Sequence, residues 1–285
     1  MAHLDAGDGR SVTAVRAATV AMTVVGPRAV AAGEQHIPQP AHGQVIVRVE
    51  GCGICGSSLP VWEGRPWFDY PLPPGAPGHE AWGRLEDGTR VAFLTQQGYA
   101  GWAAVDERTV VEIPDDGLPF PGEALACAVN VVRRARIGAN DRVAIIGMGF
   151  LGSAIAQLVP GAVEVRRNSA VEGEFERVIE CAGTQGALDT ASRLVATGGT
   201  LVLAGFHQDG PRTVDVQSWN WRGIDVVNAH ERDEAVVVAG LREAAGGIFD
   251  LERLVTQRLP LERLGEGFEL ARTRPPGFVK AVVLT

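Results

Sequence analysis

Three side chains of this 285-residue chain stand out for the chemistry they could do together. Cys55 lies on GCGICGSSLP, and His79 and Glu80 lie side by side on PGHEAWG. Thiolate, imidazole and carboxylate form the ligand set of a catalytic zinc, and a zinc ion with an open position polarises an alcohol or carbonyl oxygen. Glycines bound both segments, and Pro66, Pro71, Pro73, Pro74 and Pro77 keep the stretch before His79 in loop conformation. A separation of 24 residues therefore suits a metal site assembled from two loops. Cys52 and Cys55 also form a C-x-x-C. Gly51, Gly53 and Gly56 surround it where a redox pair would open a helix, and no second C-x-x-C follows to build a zinc ribbon.

A second constellation lies downstream. Arg142–Ile146 reads as a buried strand, and Gly147-Met148-Gly149-Phe150-Leu151-Gly152 follows at once and opens a helix. A G-x-G-x-x-G says little alone, but between a strand and a helix it is a dinucleotide-binding turn. Gly147 then permits the tight turn, Gly149 lets a pyrophosphate approach the backbone, and Gly152 lets the helix pack on the strand. Phe150 and Leu151 begin that helix, whose positive end meets the phosphates. The next strand ends Val165-Arg166-Arg167, where an acid would bind the ribose 2′-hydroxyl of NAD. Arginine there suits the 2′-phosphate of NADP, so NADP is slightly favoured over NAD; a solvated basic pair is the alternative.

These loops need elements to hold them. Up to about residue 122 the chain is strand-like and turn-rich, with strands expected at Val45–Glu50, Thr89–Leu94 and Thr109–Ile113. EALACAVNVVRRARI then has the spacing of a helix. Strands and helices alternate beyond it: Arg142–Ile146, a helix from Leu151, Ala162–Val165, Arg177–Cys181, a helix over Gln185–Val195, and Thr200–Ala204. That alternation is the signature of a parallel α/β sheet. The tail ends in a strand at Phe278–Leu284. Only 11 residues, 167–177, separate Arg166 from Val178. A crossover helix alone needs about a dozen, so the helix and third strand expected there are missing and the adenine side of the cleft is shallow. Glu123, at the start of an apolar helix, is a further candidate ligand or a glutamate complementing the helix dipole. Cys127, one turn later, and Cys181 read as core.

Composition narrows the partners. Hydrophobic content of 46% and charged content of 21% fit a soluble globular protein. A net charge of −8 without a basic cluster argues against nucleic acid or an anionic membrane. The uncharged run from Val143 to Val163 has the length of a membrane span, but its glycines, Pro160, Ser153 and Gln157 read as strand, turn and helix. Four scattered cysteines are too few for a disulfide framework, which points to the cytoplasm. Residues 1–10 are polar, carry no signal-peptide core and read as a loose terminus.

GCGICGSSLP with PGHEAWG, EALACAVNVVRRARIGANDRVAIIGMGFLG, RVIECAGTQGALDTA, GGTLVLAGF and LPLERLGEGFELARTRPPGFVKAVVL resemble, in order, the medium-chain zinc-dependent alcohol dehydrogenases. The similarity runs from about residue 13 and is nearest the sorbitol and threonine dehydrogenase branch. It implies a GroES-like catalytic domain, a partly open β-barrel over 11–122 completed by 253–285, and a shortened Rossmann domain over 123–252. It implies one catalytic zinc and no structural zinc, with Cys55 and His79 as ligands and Glu80 as the family's alternative ligand. Glu123 matches the ligand-position acid, 24 residues before Gly147. Ser57 matches the hydroxyl that accepts the substrate proton. The implied activity is NAD(P)-linked interconversion of a secondary alcohol, polyol, sugar or cyclitol and its ketone, in a homodimer or homotetramer.

Three departures from the family pattern stand out. Ser58 replaces an aspartate that orients the zinc-binding histidine, which predicts weaker metal affinity. Pro60 replaces a histidine of the proton relay. No cysteine lies between Gly83 and Thr109, so the four-cysteine zinc lobe has no counterpart. Two other readings stay open: a lyase, isomerase or cyclase using zinc as Lewis acid or a cofactor that is not turned over, and a binding protein that has lost its metal. The aromatic segment Trp219–Gly223 suits a pocket, an oligomer interface or the core.

Overall fold

The computed structural model describes residues 18–285. The loose terminus expected at residues 1–10 and the first residues of the 11–122 segment lie outside it. The described chain opens with an antiparallel hairpin of β1 (Ala18–Gly26) and β2 (Ala29–His36). Next come β3 (Gln44–Gly53), a 3-10 turn at Gly56–Ser58, the short helix α1 (Leu59–Glu63), β4 (Glu80–Arg84), β5 (Arg90–Ala92), β6 (Trp102–Asp106) and β7 (Val111–Glu112). With β13 (Gln257–Pro260) and β14 (Ala281–Leu284) from the far end of the chain, these strands form a seven-stranded sheet.

β3 organises that sheet. Its residues Gln44–Arg48 pair β6 and its Gly51–Gly53 pair β14, both opposite the edge that pairs β4. Two strands in succession along one edge, with a register shift at Val49/Gly51, bend β3 and curl the sheet toward a barrel. The interior holds Met22, Val47, Ile54 and Phe93, with Trp62 stacked on Phe268 at 5.5 Å and Tyr99 edge-on to Phe268 at 5.8 Å.

The second half alternates as its hydrophobic runs require. α2 (Gly122–Ala135) leads into β8 (Val143–Ile146), α3 (Phe150–Leu158), β9 (Val163–Val165), β10 (Phe175–Glu180), α4 (Gln185–Leu194) and β11 (Val195–Leu203). α5 (Val216–Arg222), β12 (Asp225–Asn228), α6 (Glu234–Ala244) and α7 (Leu251–Leu254) follow, and α8 (Leu264–Thr273) lies between β13 and β14. The sheet is parallel throughout, in the order β12-β11-β10-β8-β9. β8 is buried along its whole length, as a strand covered on both faces must be. The uncharged Val143–Val163 run is thus strand, turn, helix and the start of β9. Among the described residues no helix is long and apolar enough to cross a membrane.

Between β9 and β10 the chain forms neither helix nor strand, so β9 is the sheet's edge and the expected third strand is missing. α2 joins the two halves: Leu125, Ala128 and Val131 share one core with Trp82 of β4 and with Ile145, Ile179 and Val202 of the parallel sheet. Three expected strands fall three residues short of their apolar runs, and of Thr89–Leu94 only Arg90–Ala92 is extended. Asp106 accepts from Arg108 N and turns Glu107–Thr109 into a 3-10 turn, leaving only Val111–Glu112 extended. At the C-terminus Phe278 N bonds Pro275 O, so the Pro-Pro-Gly turn delays β14 to Ala281.

Candidate active site

Cys55 follows the end of β3 in extended conformation (φ −83°, ψ 145°) and precedes the 3-10 turn. His79 immediately precedes β4, and Glu80 is its first residue. Because Gly53 pairs Glu80 across β3 and β4, the two loops meet at the same end of the ladder. Gly53 has to be glycine: a Cβ there would lie 1.9 Å from Glu80 Oε2. The ligand atoms of Cys55, His79 and Glu80 all lie within 4.8 Å of one another. Sulfur and nitrogen bind zinc at about 2.3 and 2.0–2.1 Å, so small side-chain adjustments would close this set around an ion.

The histidine is oriented by backbone. Its Nδ1 is 2.9 Å from Pro77 O. A carbonyl only accepts, so Nδ1 keeps a proton and Nε2 is the nitrogen that would bind a metal once it gives up its own. Pro77 O thereby takes the orienting role expected of the aspartate that Ser58 replaces; the Ser58 hydroxyl is buried and has no partner. Ser57 Oγ donates to Cys55 Sγ at 3.1 Å and lies 3.5 Å from His79 Nε2. Burial disfavours the imidazolium, but the Cys55 sulfur beside it, with the Glu123 and Glu80 carboxylates, outweighs this and lifts the His79 pKa to about 10.

Glu80 is fully buried, and Lys280 Nζ donates to both its oxygens at 2.7 and 2.6 Å. Burial lowers the lysine's pKa, yet the Glu80 and Cys55 charges prevail and its net shift is upward. Glu80 would therefore offer a metal the lone pairs that Lys280 leaves free. Glu123 stands outside the three-residue cluster. It accepts from Cys127 Sγ at 3.3 Å, and burial raises its pKa against the pull of His79. Cys127, read from the sequence as core, is thus half-buried beside a candidate ligand. A cavity of about 350 Å³ adjoins His79 and Glu123, with Thr95, Asp106 and Glu234 also on its wall.

The glycine turn leads from β8 into α3. Gly147 has φ +94°, Gly149 caps α3 without a side-chain bond, and a Cβ on Gly152 would lie 2.1 Å from Gly147 O. Lys280 Nζ sits 4.3 Å from the centroid of the Phe150 ring, which joins the Cys55–His79–Glu80 cluster to the start of α3. Gly147 N bonds Val165 O, so Arg166 borders the turn. Its guanidinium is exposed and bonded to Glu164 at 2.9 Å; Arg167 is exposed as well. The aromatic segment divides: Trp219 Nε1 bonds Ser192 Oγ at 3.2 Å, whereas Trp221 is 90% exposed.

Sequence reasoning missed three residues here. Lys280 had a signal, a lone charge in an apolar terminal run. Gln208 Nε2 donates to Gly56 O at 3.2 Å, across 152 positions of sequence. The Arg274 guanidinium lies near both Gly56 and Gly149. Neither of these last two carried a local signal.

No family model matches the chain. It is 22% identical to the L-galactonate-5-dehydrogenase of Escherichia coli, over 88% of this chain and 94% of that one. It is 25% identical to the (R,R)-butanediol dehydrogenase of Bacillus subtilis, over 82% and 91%. The first alignment spans 326 positions against 285 residues here, so this chain is the shorter. Among solved structures, a zinc-binding dehydrogenase of Sinorhizobium meliloti bound to NADP superposes with a TM-score of 0.80 at 22% identity, over 95% of this chain and 100% of that one.

Proposed function

We propose, from the premise that this chain is a shortened member of the medium-chain zinc-type dehydrogenases, that it interconverts a secondary alcohol and its ketone with a nicotinamide cofactor. The observation that carries the reading is the Cys55–His79–Glu80 cluster joined through Lys280 to Phe150 of the dinucleotide turn. Cys55 and His79 are the metal ligands, and Glu80 or Glu123 supplies a carboxylate. Bound there, zinc would lower the pKa of an alcohol oxygen while the nicotinamide exchanged hydride with the carbon.

The chain's own groups do the rest. Pro77 O fixes the histidine so that Nε2 faces the cluster. The Ser57 hydroxyl, within 3.5 Å of Nε2 and 3.1 Å of Cys55 Sγ, relays the proton that leaves the substrate, taking it on its oxygen while passing its own proton on toward solvent. Pro60 has no titratable group, so that proton leaves by another path than the family's histidine relay. Gly147, Gly149, Phe150, Leu151 and Gly152 hold the pyrophosphate, and Arg166 and Arg167 favour NADP over NAD. The cofactor domain extends from about 123 to 252. The relatives act on galactonate and butanediol, so a polyol or sugar-like alcohol is the substrate class.

Fluorescence titration with NADPH and NADH, alongside metal analysis, tests this reading. The expected result is binding of at least one nucleotide, about one zinc per chain, and loss of zinc in Cys55→Ala. Failure to bind either nucleotide would sink the dehydrogenase. Arg166→Asp is expected to reverse a preference for NADPH; an unchanged preference would remove Arg166 from cofactor choice. The truncated sheet beyond β9 favours one second reading, zinc Lewis-acid chemistry without cofactor turnover. Zinc binding with no nucleotide binding would support it.

A further inference from the structure

Gln208 lies in the loop after β11, where an open parallel sheet receives its ligands beyond the strands' carboxyl ends. Its two amide atoms have different fates. Nε2 donates to Gly56 O, between Cys55 and Ser57. Gly56 O can only accept, which fixes the amide with Oε1 turned away. That oxygen is buried and has no hydrogen-bond partner. A buried acceptor without a donor is rare enough to call for one.

The loop is held firmly enough to aim it. Glu180, fully buried at the end of β10, accepts from Ala182 N at 2.7 Å and Gly183 N at 2.8 Å. Its other oxygen is 3.0 Å from His207 Nε2. Arg212 Nε donates to His207 Nδ1 at 2.9 Å, so Nε2 carries the ring proton and donates to Glu180. Arg212 also donates to Gly183 O at 2.6 Å. The residue next to Gln208 is thus tied to the end of the neighbouring strand β10, directly at Glu180 and by way of Arg212 at Gly183.

On the reading of the site as a dehydrogenase, we infer that Gln208 is a cofactor-positioning residue: its Oε1 accepts a hydrogen bond from the nicotinamide half of the cofactor, while its Nε2 holds the Cys55–Gly56–Ser57 segment. The donor is an N–H of the carboxamide or an O–H of the adjoining ribose, the two donor types that half presents. Cofactor occupancy and the placement of Ser57 are then coupled through one side chain.

Gln208→Met keeps the length and removes both polar atoms. NADPH, NADH and ADP are titrated against the wild-type protein and the variant, with zinc content measured in parallel. The variant is expected to bind the dinucleotide about tenfold more weakly, the loss of roughly one hydrogen bond, with ADP affinity and zinc content unchanged. The 3-acetylpyridine analogue of the dinucleotide lacks the carboxamide N–H. If it binds both proteins alike, the donor is the carboxamide; if it loses affinity in the variant as the natural cofactor does, the donor is the ribose. Dinucleotide binding within about twofold of wild type would overturn the inference. So would an equal loss for ADP, because Gln208 would then merely support the loop. Absence of dinucleotide binding by the wild-type protein would instead count against the dehydrogenase itself.

Discussion

Lys280→Met would leave the fully buried Glu80 carboxylate without a counter-charge. Removing one partner of a buried ion pair costs about 3–5 kcal/mol, whereas replacing both partners costs far less. Urea denaturation is expected to show a loss of that size for Lys280→Met and recovery of more than half of it in Glu80→Gln/Lys280→Met. If the double variant is as unstable as the single one, the lysine matters for packing on Phe150 and not for its charge. Cys55, His79 and Glu80 were legible from the sequence because their residue types and glycine flanks are unusual. Lys280 has its partner 200 positions away, and only the folded ladder of β3, β4 and β14 brings them together. The orienting carbonyl of Pro77 was illegible for another reason: every residue has a carbonyl, so the sequence cannot mark the one that matters.

At the scale of elements, β8, the glycine turn and α3 were readable because the signal is local and continuous. A Gly152→Ala side chain would sit 2.1 Å from Gly147 O, with backbone on both sides of the clash and nothing flexible to yield. This variant is expected to lose detectable NADPH fluorescence enhancement and to unfold several degrees lower, since overpacking costs about 1–3 kcal/mol. Full nucleotide binding by Gly152→Ala would show that the turn does not hold the pyrophosphate. Gly186 in α4 makes the contrast, because a Cβ there meets nothing within 4 Å. Gly186→Ala should stabilise by about 0.4–1 kcal/mol in the same denaturation assay. The barrel was harder to read than the parallel sheet. Its strands are short, β3 serves three partners, and β13 and β14 arrive from the opposite end of the chain.

The whole molecule keeps both sheets, with less protein around one end of the parallel one. The sheet ends at β9, so the adenine side has neither the next strand nor its helix to lean on. Most of the binding energy should therefore come from the nicotinamide and pyrophosphate. We expect reduced nicotinamide mononucleotide to bind no more than about tenfold more weakly than NADPH or NADH, about 1.4 kcal/mol for the entire adenosine end. A thousandfold difference in competitive titration would mean that residues 166–174 build an adenine site of their own. This shortening was legible in the sequence as an arithmetic fact, eleven residues where a crossover needs more. The sequence did not show how the edge is finished: β9 has three residues, with Glu164 paired to Arg166 on its exposed flank.

A short, charged edge resists accidental pairing with other chains, and it also keeps a row of backbone donors and acceptors ready for a deliberate one. A helix and strand inserted between Arg167 and Glu174 would find the neighbouring strand already laid out, in a loop that reaches the core through Val171. The same position that marks what this protein lacks is therefore its natural grafting point. A cofactor lobe could be rebuilt there, and nucleotide preference set by the inserted segment, without touching the Cys55 and His79 loops.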